Sequence, residues 1–300
     1  MCLRRPPTTI LCLPIMYNWQ MSEEKLTIGF IGAGNMATAL IDGLLANGWQ
    51  PAQIHASDMD QGRLDILAEK GVNTTTNNID IINNSTTVIL AVKPQVLGDV
   101  LTPLRDSLQA HECLLVSIAA GISMANLLAW THPGQALVRC MPNTPALVQT
   151  GASALFANSN CSESQKSNAQ DLLTAVGIVC WLDKETDMDA VTALSGSGPA
   201  YFFLLIESMQ EAAIAMGLDA KTAELLCQQT ALGAARLAQS SDVDVTELRR
   251  RVTSPGGTTE AALQQFESED FNAMVGRALE KAALRSREMA ASSQGQEKTK

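Results

Sequence analysis

The 300-residue sequence predicts an α/β fold, with a parallel-sheet N-terminal domain followed by an all-helical C-terminal domain. Three observations predict it. At Leu26–Leu45 (LTIGFIGAGNMATALIDGLL) a short apolar run meets Gly32 and Gly34, and then Ala37, Leu40, Ile41, Leu44 and Leu45 recur at helical spacing. Short apolar runs reappear as far as Trp181, and Thr87–Val92 (TVILAV) is continuous, as a parallel strand covered on both faces must be. From Asp187 onwards the β-runs stop and long Ala/Leu/Met patterns take over. The first observation is a strand, tight turn and helix with G-x-G-x-x-A at the junction, the start of a Rossmann-type parallel sheet.

Each element follows from local chemistry. Gly32 permits the sharp turn, Gly34 lets backbone approach a pyrophosphate, and Ala37 lets helix pack on strand. The helix N-terminus offers unpaired N–H groups to the phosphates. Gln53–Ser57 predicts a second strand closed by Asp58, which stands where an acidic side chain takes the ribose hydroxyls of NAD. The same carboxylate also suits a cap on the next helix, Gln61–Lys70. Gly71 and Val72 lead to a third strand. Thr87–Val92 ends in Lys93-Pro94 at the carboxyl edge of the sheet, where ligands bind. Leu114–Ile118 runs into Ala119-Ala120-Gly121, small enough for a cofactor to lie close. Ala136–Cys140, Ser153–Phe156 and Val176–Trp181 supply further strands. Met188–Met216 reads as a largely apolar helix interrupted by Ser195-Gly196-Ser197-Gly198-Pro199. Lys221–Gln239 (with Asp219 as N-cap), Glu247–Val252, Thr259–Phe266 and Phe271–Met289 complete the helical part. The expected organisation is an extension or over-called start over 1–20, a dinucleotide-binding domain over 21–184, a helical substrate and dimerisation domain over 185–290, and a polar tail over 291–300.

Composition excludes several functions. With 31 acidic and 21 basic residues the formal charge is −10, and no basic stripe suits nucleic acid. The seven cysteines form no C-x-x-C pair and read as reduced thiols of a cytoplasmic protein. His55, His111 and His132 are scattered, so no metal site is expected. Met1–Gln20 lacks the long apolar region and cleavage site of a signal peptide, and no membrane association is expected.

Three later stretches narrow the reading: Arg139–Gly151 (RCMPNTPALVQTG), Leu194–Tyr201 (LSGSGPAY) and Arg251–Ala262 (RVTSPGGTTEAA). With FIGAGNMA (Phe30–Ala37), AVKPQ (Ala91–Gln95) and SIAAG (Ser117–Gly121), they closely resemble the pyrroline-5-carboxylate reductase family over roughly Lys25–Met289. The resemblance implies reduction of Δ1-pyrroline-5-carboxylate to L-proline, the last step of proline biosynthesis, with NADPH or NADH as hydride donor. It implies a homo-oligomer built from dimers whose helical domains interlock. For the cofactor it implies the turn Ile31, Gly32, Ala33, Gly34, Asn35 and Met36, with Ser57, Asp58 and Asn78 on the adenosine side. Ala91, Val92, Lys93, Pro94 and Ala120 fall on the nicotinamide side. No Arg directly follows the second strand, so NADPH, slightly favoured by the family, and NADH both stay open. For the substrate it implies Glu185, Ser254, Gly256, Gly257 and Thr258, with the Thr259 hydroxyl near the ring nitrogen as the catalytic group. Met141–Ala146 shapes a loop beside the nicotinamide.

Two other classes compete. A β-hydroxyacid dehydrogenase shares a Rossmann domain followed by helices, but needs a catalytic Lys on a second-domain helix, and neither Lys221 nor Lys281 suits. A nucleotide-sensing scaffold has no reason to keep both glycine-rich loops.

Overall fold

The computed structural model describes residues 26–295, and side chains through 291. The expectation for Met1–Gln20 lies outside the described residues. One eight-stranded sheet organises the first part of the chain, in the order β3-β2-β1-β4-β5-β6-β7-β8. Its first half contains β1 (Ile28–Ile31), α1 (Asn35–Ala46), β2 (Ile54–Ser57), α2 (Gln61–Glu69), β3 (Asn73–Thr75), α3 (Asn78–Asn83) and β4 (Thr87–Leu90). There follow α4 (Leu97–Leu101), α5 (Arg105–Ala110), β5 (Leu114–Ser117), α6 (Met124–Trp130), β6 (Leu137–Met141), β7 (Gly151–Ala157), α7 (Glu163–Thr174) and β8 (Gly177–Trp181). β1 pairs in parallel with both β2 and β4, so the strand order reverses there. That reversal opens a crevice at the carboxyl ends of the strands.

The inner strands β1, β4 and β5 are buried on both faces because helices cover both. Phe30, Ile89, Val116 and Val138 pack with Leu40, Leu44, Leu64 and Leu172 on one side. Ile31, Val88, Leu90 and Leu115 pack with Ile82, Leu101, Leu108 and Leu127 on the other. β7 departs from the parallel expectation: it runs antiparallel to β6, and β8 is parallel to β7. The short connection after β6, with Gln149 at φ 55°, turns the chain straight back. A parallel return needs a longer crossover.

The helical part begins with α8 (Met188–Val191), widens into a π turn over Thr192–Gly196, and resumes as α9 (Gly198–Ala215). The expected interruption at Ser195–Pro199 is therefore a change of helical pitch. α10 (Ala220–Ser240) is capped by Asp219, whose carboxylate accepts the Thr222 N–H at 3.0 Å. α11 (Val245–Arg251), α12 (Thr258–Ser268) and α13 (Phe271–Gly295) follow. The tail expected from 291 is partly helix, since α13 continues to Gly295. α9 packs on α10, and α13 lies along α8 and the π turn, where Ser286 Oγ donates to Asp189 at 2.7 Å. Among the described cysteines, Cys113, Cys140, Cys161 and Cys227 are buried free thiols and Cys180 is exposed. Burial pushes the Cys140 thiol up to about 12.

Candidate active site

The crevice is built by the turn between β1 and α1. Gly32 sits at φ +100°, and a Cβ there would lie 2.8 Å from the carbonyl carbon of Ala91. Its N–H donates to Ser57 O at 2.8 Å, and Ala91 N–H donates to Ile31 O at 2.8 Å. Backbone from β1, β2 and β4 therefore converges at one point. Gly34, the N-cap of α1, gives no side-chain cap, and a Cβ there would meet nothing within 4 Å. An uncapped helix N-terminus facing open space suits a pyrophosphate, with the N–H groups of Asn35 and Met36 at its first turn. The residues present thus fit a dinucleotide.

The adenosine side is more heavily tied than the sequence foretold. Ser57 Oγ donates to Asn78 Oδ1 at 2.7 Å, joining the two expected residues at the end of β2. The Asp58 carboxylate accepts the Ala33 N–H at 2.7 Å and the Asp60 N–H at 2.9 Å. Capping of α2 falls instead to Asp60, which accepts from the Gly62 and Arg63 N–H groups. Arg63 lies 3.5 Å from both Asp58 and Asp60. Burial pushes the Asp58 carboxyl up, but the Ala33 and Asp60 N–H groups and the Arg63 guanidinium outweigh it and hold it below 3.8. Asp58 thus braces the glycine turn.

Of the residues expected beside the nicotinamide, Ala91 and Val92 are half-buried just past the end of β4, Lys93 is exposed, and Pro94 opens a short turn. Ala120 is half-buried beyond β5. At Gly121 the sheet domain meets α13, where a Cβ would approach Met289 Cβ to 2.9 Å. Glu185 bonds to the sheet domain. Its carboxylate pairs with Arg139 of β6 and accepts the Met124 N–H of α6 at 2.6 Å. Sequence reasoning missed Arg139 as its partner, although Arg139 opens the RCMPNTPA stretch.

The loop Ser254–Thr259 is exposed in the protomer apart from half-buried Gly257, and α12 packs on α13. Its hydrogen bonds are local. Gly257 N–H donates to Ser254 O at 3.0 Å, and Gly256 N–H donates to the Glu260 carboxylate at 2.7 Å. Both glycine amides expected to hold a carboxylate are thus occupied in the protomer. The open donors are the N–H groups of Thr258 and Thr259, the first residues of α12, beside the two threonine hydroxyls. Glu260 was not foreseen as a site neighbour. Its place three residues into the helix, after a cap position, was the available signal.

Two family models match the chain: pyrroline-5-carboxylate reductase dimerisation over residues 185–289, and NADP oxidoreductase, coenzyme F420-dependent, over residues 27–121. A pyrroline-5-carboxylate reductase of Pseudomonas aeruginosa is 51% identical over 264 residues, covering 88% of this chain and 96% of that protein. A solved pyrroline-5-carboxylate reductase from Coxiella burnetii is 43% identical with a TM-score of 0.85, covering 89% of this chain and 99% of that one. The Plasmodium falciparum pyrroline carboxylate reductase, solved with NADP bound, is 31% identical with a TM-score of 0.79, covering 88% and 98%. Identity of this order across nearly the whole chain, on a crevice built for a dinucleotide, has one meaning: the chain belongs to the pyrroline-5-carboxylate reductase family.

Proposed function

We propose that this chain reduces Δ1-pyrroline-5-carboxylate to L-proline with NAD(P)H, the last step of proline biosynthesis. What carries the reading is two glycine-rich helix N-termini in one chain of this family, one open for a pyrophosphate and one with free amides for a carboxylate. The bound cofactor supplies the hydride. The chain supplies binding and orientation: Gly32 and Gly34 admit the pyrophosphate, and Ala91–Pro94 and Ala120 flank the nicotinamide. Ser254 and the amides at the start of α12 take the substrate carboxylate, and the Thr259 hydroxyl hydrogen-bonds the ring nitrogen. An iminium already carries its proton, so no strong protein acid is required. In this reading Glu185 shapes the substrate side through Arg139 and the start of α6. The Arg63 guanidinium and the Asn78 amide N–H groups can donate to a 2′-phosphate that Asp58 alone would repel, and with the family resemblance NADPH is slightly favoured over NADH.

The chain is a homo-oligomer acting on a small molecule, as the dimerisation model at 185–289 supports. We infer the finer arrangement from α9. Phe202 is 67% exposed and Phe203 64%, with Leu204, Met209, Ile214 and Met216 also open. By length and composition alone the stretch Glu185–Ala215 would cross a membrane. A two-fold partner in a cytoplasmic protein covers the same face, and higher oligomers then assemble from dimers. The functional units are residues 21–184 for the cofactor and 185–290 for substrate and dimerisation.

Lys221 and Lys281, the lysines a β-hydroxyacid dehydrogenase would need, are exposed on α10 and α13. The test is an absorbance assay of NADPH and NADH oxidation with pyrroline-5-carboxylate, against NAD(P)⁺ reduction with β-hydroxyacids. Oxidation in the first is expected. Turnover only in the second would overturn the reading.

A further inference from the structure

The π turn at Thr192–Gly196 has a specific origin. Ser197 N–H donates to Thr192 O, five residues back, at 2.8 Å. Pro199 stands four residues after Ser195 and has no N–H, so the Ser195 carbonyl loses its α-helical donor. Asn143 supplies one from another domain: its Nδ2 donates to Ser195 O at 3.1 Å. The same side chain accepts the Ala152 N–H at the start of β7 at 2.9 Å. One partner is a carbonyl and the other an N–H, which fixes the amide's orientation. Beside it, Met141 packs so closely on Gly196 that a Cβ there would collide with the Met141 methyl.

Asn143 lies just past the end of β6, at the carboxyl edge of the sheet where the crevice opens. The short turn it precedes, Thr144–Val148, packs on α1, the helix that faces the pyrophosphate. The π turn it grips packs on α13, against which α12 and the substrate loop rest. One amide therefore joins the cofactor side to the element that carries the substrate side. Local π widenings in helices gather at functional sites.

We propose that Asn143 is a positioning residue for hydride transfer, holding the carbonyl that Pro199 orphans and so setting the helical domain against the nicotinamide edge. The proposal rests on the reductase reading above. Asn143→Ala is expected to fold and to bind NADPH with unchanged Kd. Its kcat should fall roughly ten- to hundredfold, with a much smaller change in KM, because misplacement of the reacting groups acts on the chemical step. The primary isotope effect from deuterated NADPH should rise accordingly. Asn143→Asp keeps the acceptor for Ala152 but opposes a carboxylate to the Ser195 carbonyl, and should be no better than Asn143→Ala.

The decisive variant is Pro199→Ala, which returns an N–H four residues after Ser195. It should restore most of the lost turnover in the Asn143→Ala background. Amide exchange across 192–201 should rise in Asn143→Ala and return in the double variant. That exchange is read without substrate, so a failed reductase reading would leave it intact, whereas a wrong latch would not. Wild-type kcat in Asn143→Ala, or a double variant no faster than the single, would overturn the proposal.

Discussion

Asp58 shows how one carboxylate serves several demands. Its position after β2 was readable from the sequence, and so was the choice between ribose and helix cap. The bond to Ala33 N–H was not, because it depends on how the glycine turn folds back over the end of β2. Asp58→Ala should raise kcat/KM for NADPH relative to NADH, by removing a like charge from beside a 2′-phosphate. It should also cost about 1–3 kcal/mol of stability, since it orphans the N–H of Ala33, which is buried. A cofactor ratio equal to the parent's would leave Asp58 with the brace alone. Its carboxyl is held below 3.8, so it stabilises the fold fully above that value and loses the contribution as pH falls through its lower folded value. Acid unfolding of Asp58→Asn should accordingly show a shallower pH dependence below about 4. In the substrate loop, Thr259→Ala should lower kcat more than it raises KM, by about 1–3 kcal/mol or one to two decades in rate. Ser254→Ala should mainly raise KM. A change confined to NADPH affinity in Thr259→Ala would move this loop to the cofactor.

At the scale of elements, the two glycines of the first turn separate folding from binding. Gly32 is at φ +100° with Ala91 backbone against it, so Gly32→Ala should destabilise the sheet domain by more than the roughly 1–2 kcal/mol of left-handed strain alone. Gly34→Ala meets open space and should melt within about 1 kcal/mol of the parent. It should nevertheless bind NADPH about tenfold or more weakly if the pyrophosphate is held at this turn as proposed, because the added methyl would occupy its place. Thermal unfolding and cofactor titration of the pair check both halves, and equal affinity of Gly34→Ala with the parent would remove the phosphate from this turn. The elements with strong periodicity, α1, α9, α10 and α13, were legible from the sequence, as were the β-branched strands. α3 over Asn78–Asn83 was hidden, since only Ile79, Ile81 and Ile82 signal it and asparagines flank both ends. The reversed direction of β7 was equally hidden, because a fully covered strand reads the same in either sense.

At the scale of the molecule, the sheet domain is complete in one chain and the helical part is not. α9 and α10 cover each other along one side only, which leaves Phe202, Phe203, Leu204, Leu225 and Leu226 exposed. A patch of this kind calls for a partner. Replacing Phe203 and Leu204 together with Glu should give a monomer by sedimentation, with NADPH binding kept and pyrroline-5-carboxylate turnover lost. The fold of a lone chain explains the second outcome, because the Ser254–Thr259 loop makes only local bonds and stands open to whatever the partner brings. A monomeric double variant with full activity would defeat the dimer arrangement.

The strand order also sets a timetable for the growing chain. β1, buried on both faces, is made before β2 and well before β4, yet it finishes as an inner strand that needs β4 as well as β2 beside it. While the ribosome works towards Thr87, its apolar residues have only half a home, and this is the interval in which a chaperone has something to hold. From β4 onward the order in space is the order of synthesis, so each strand from β5 to β8 docks on an edge that already exists.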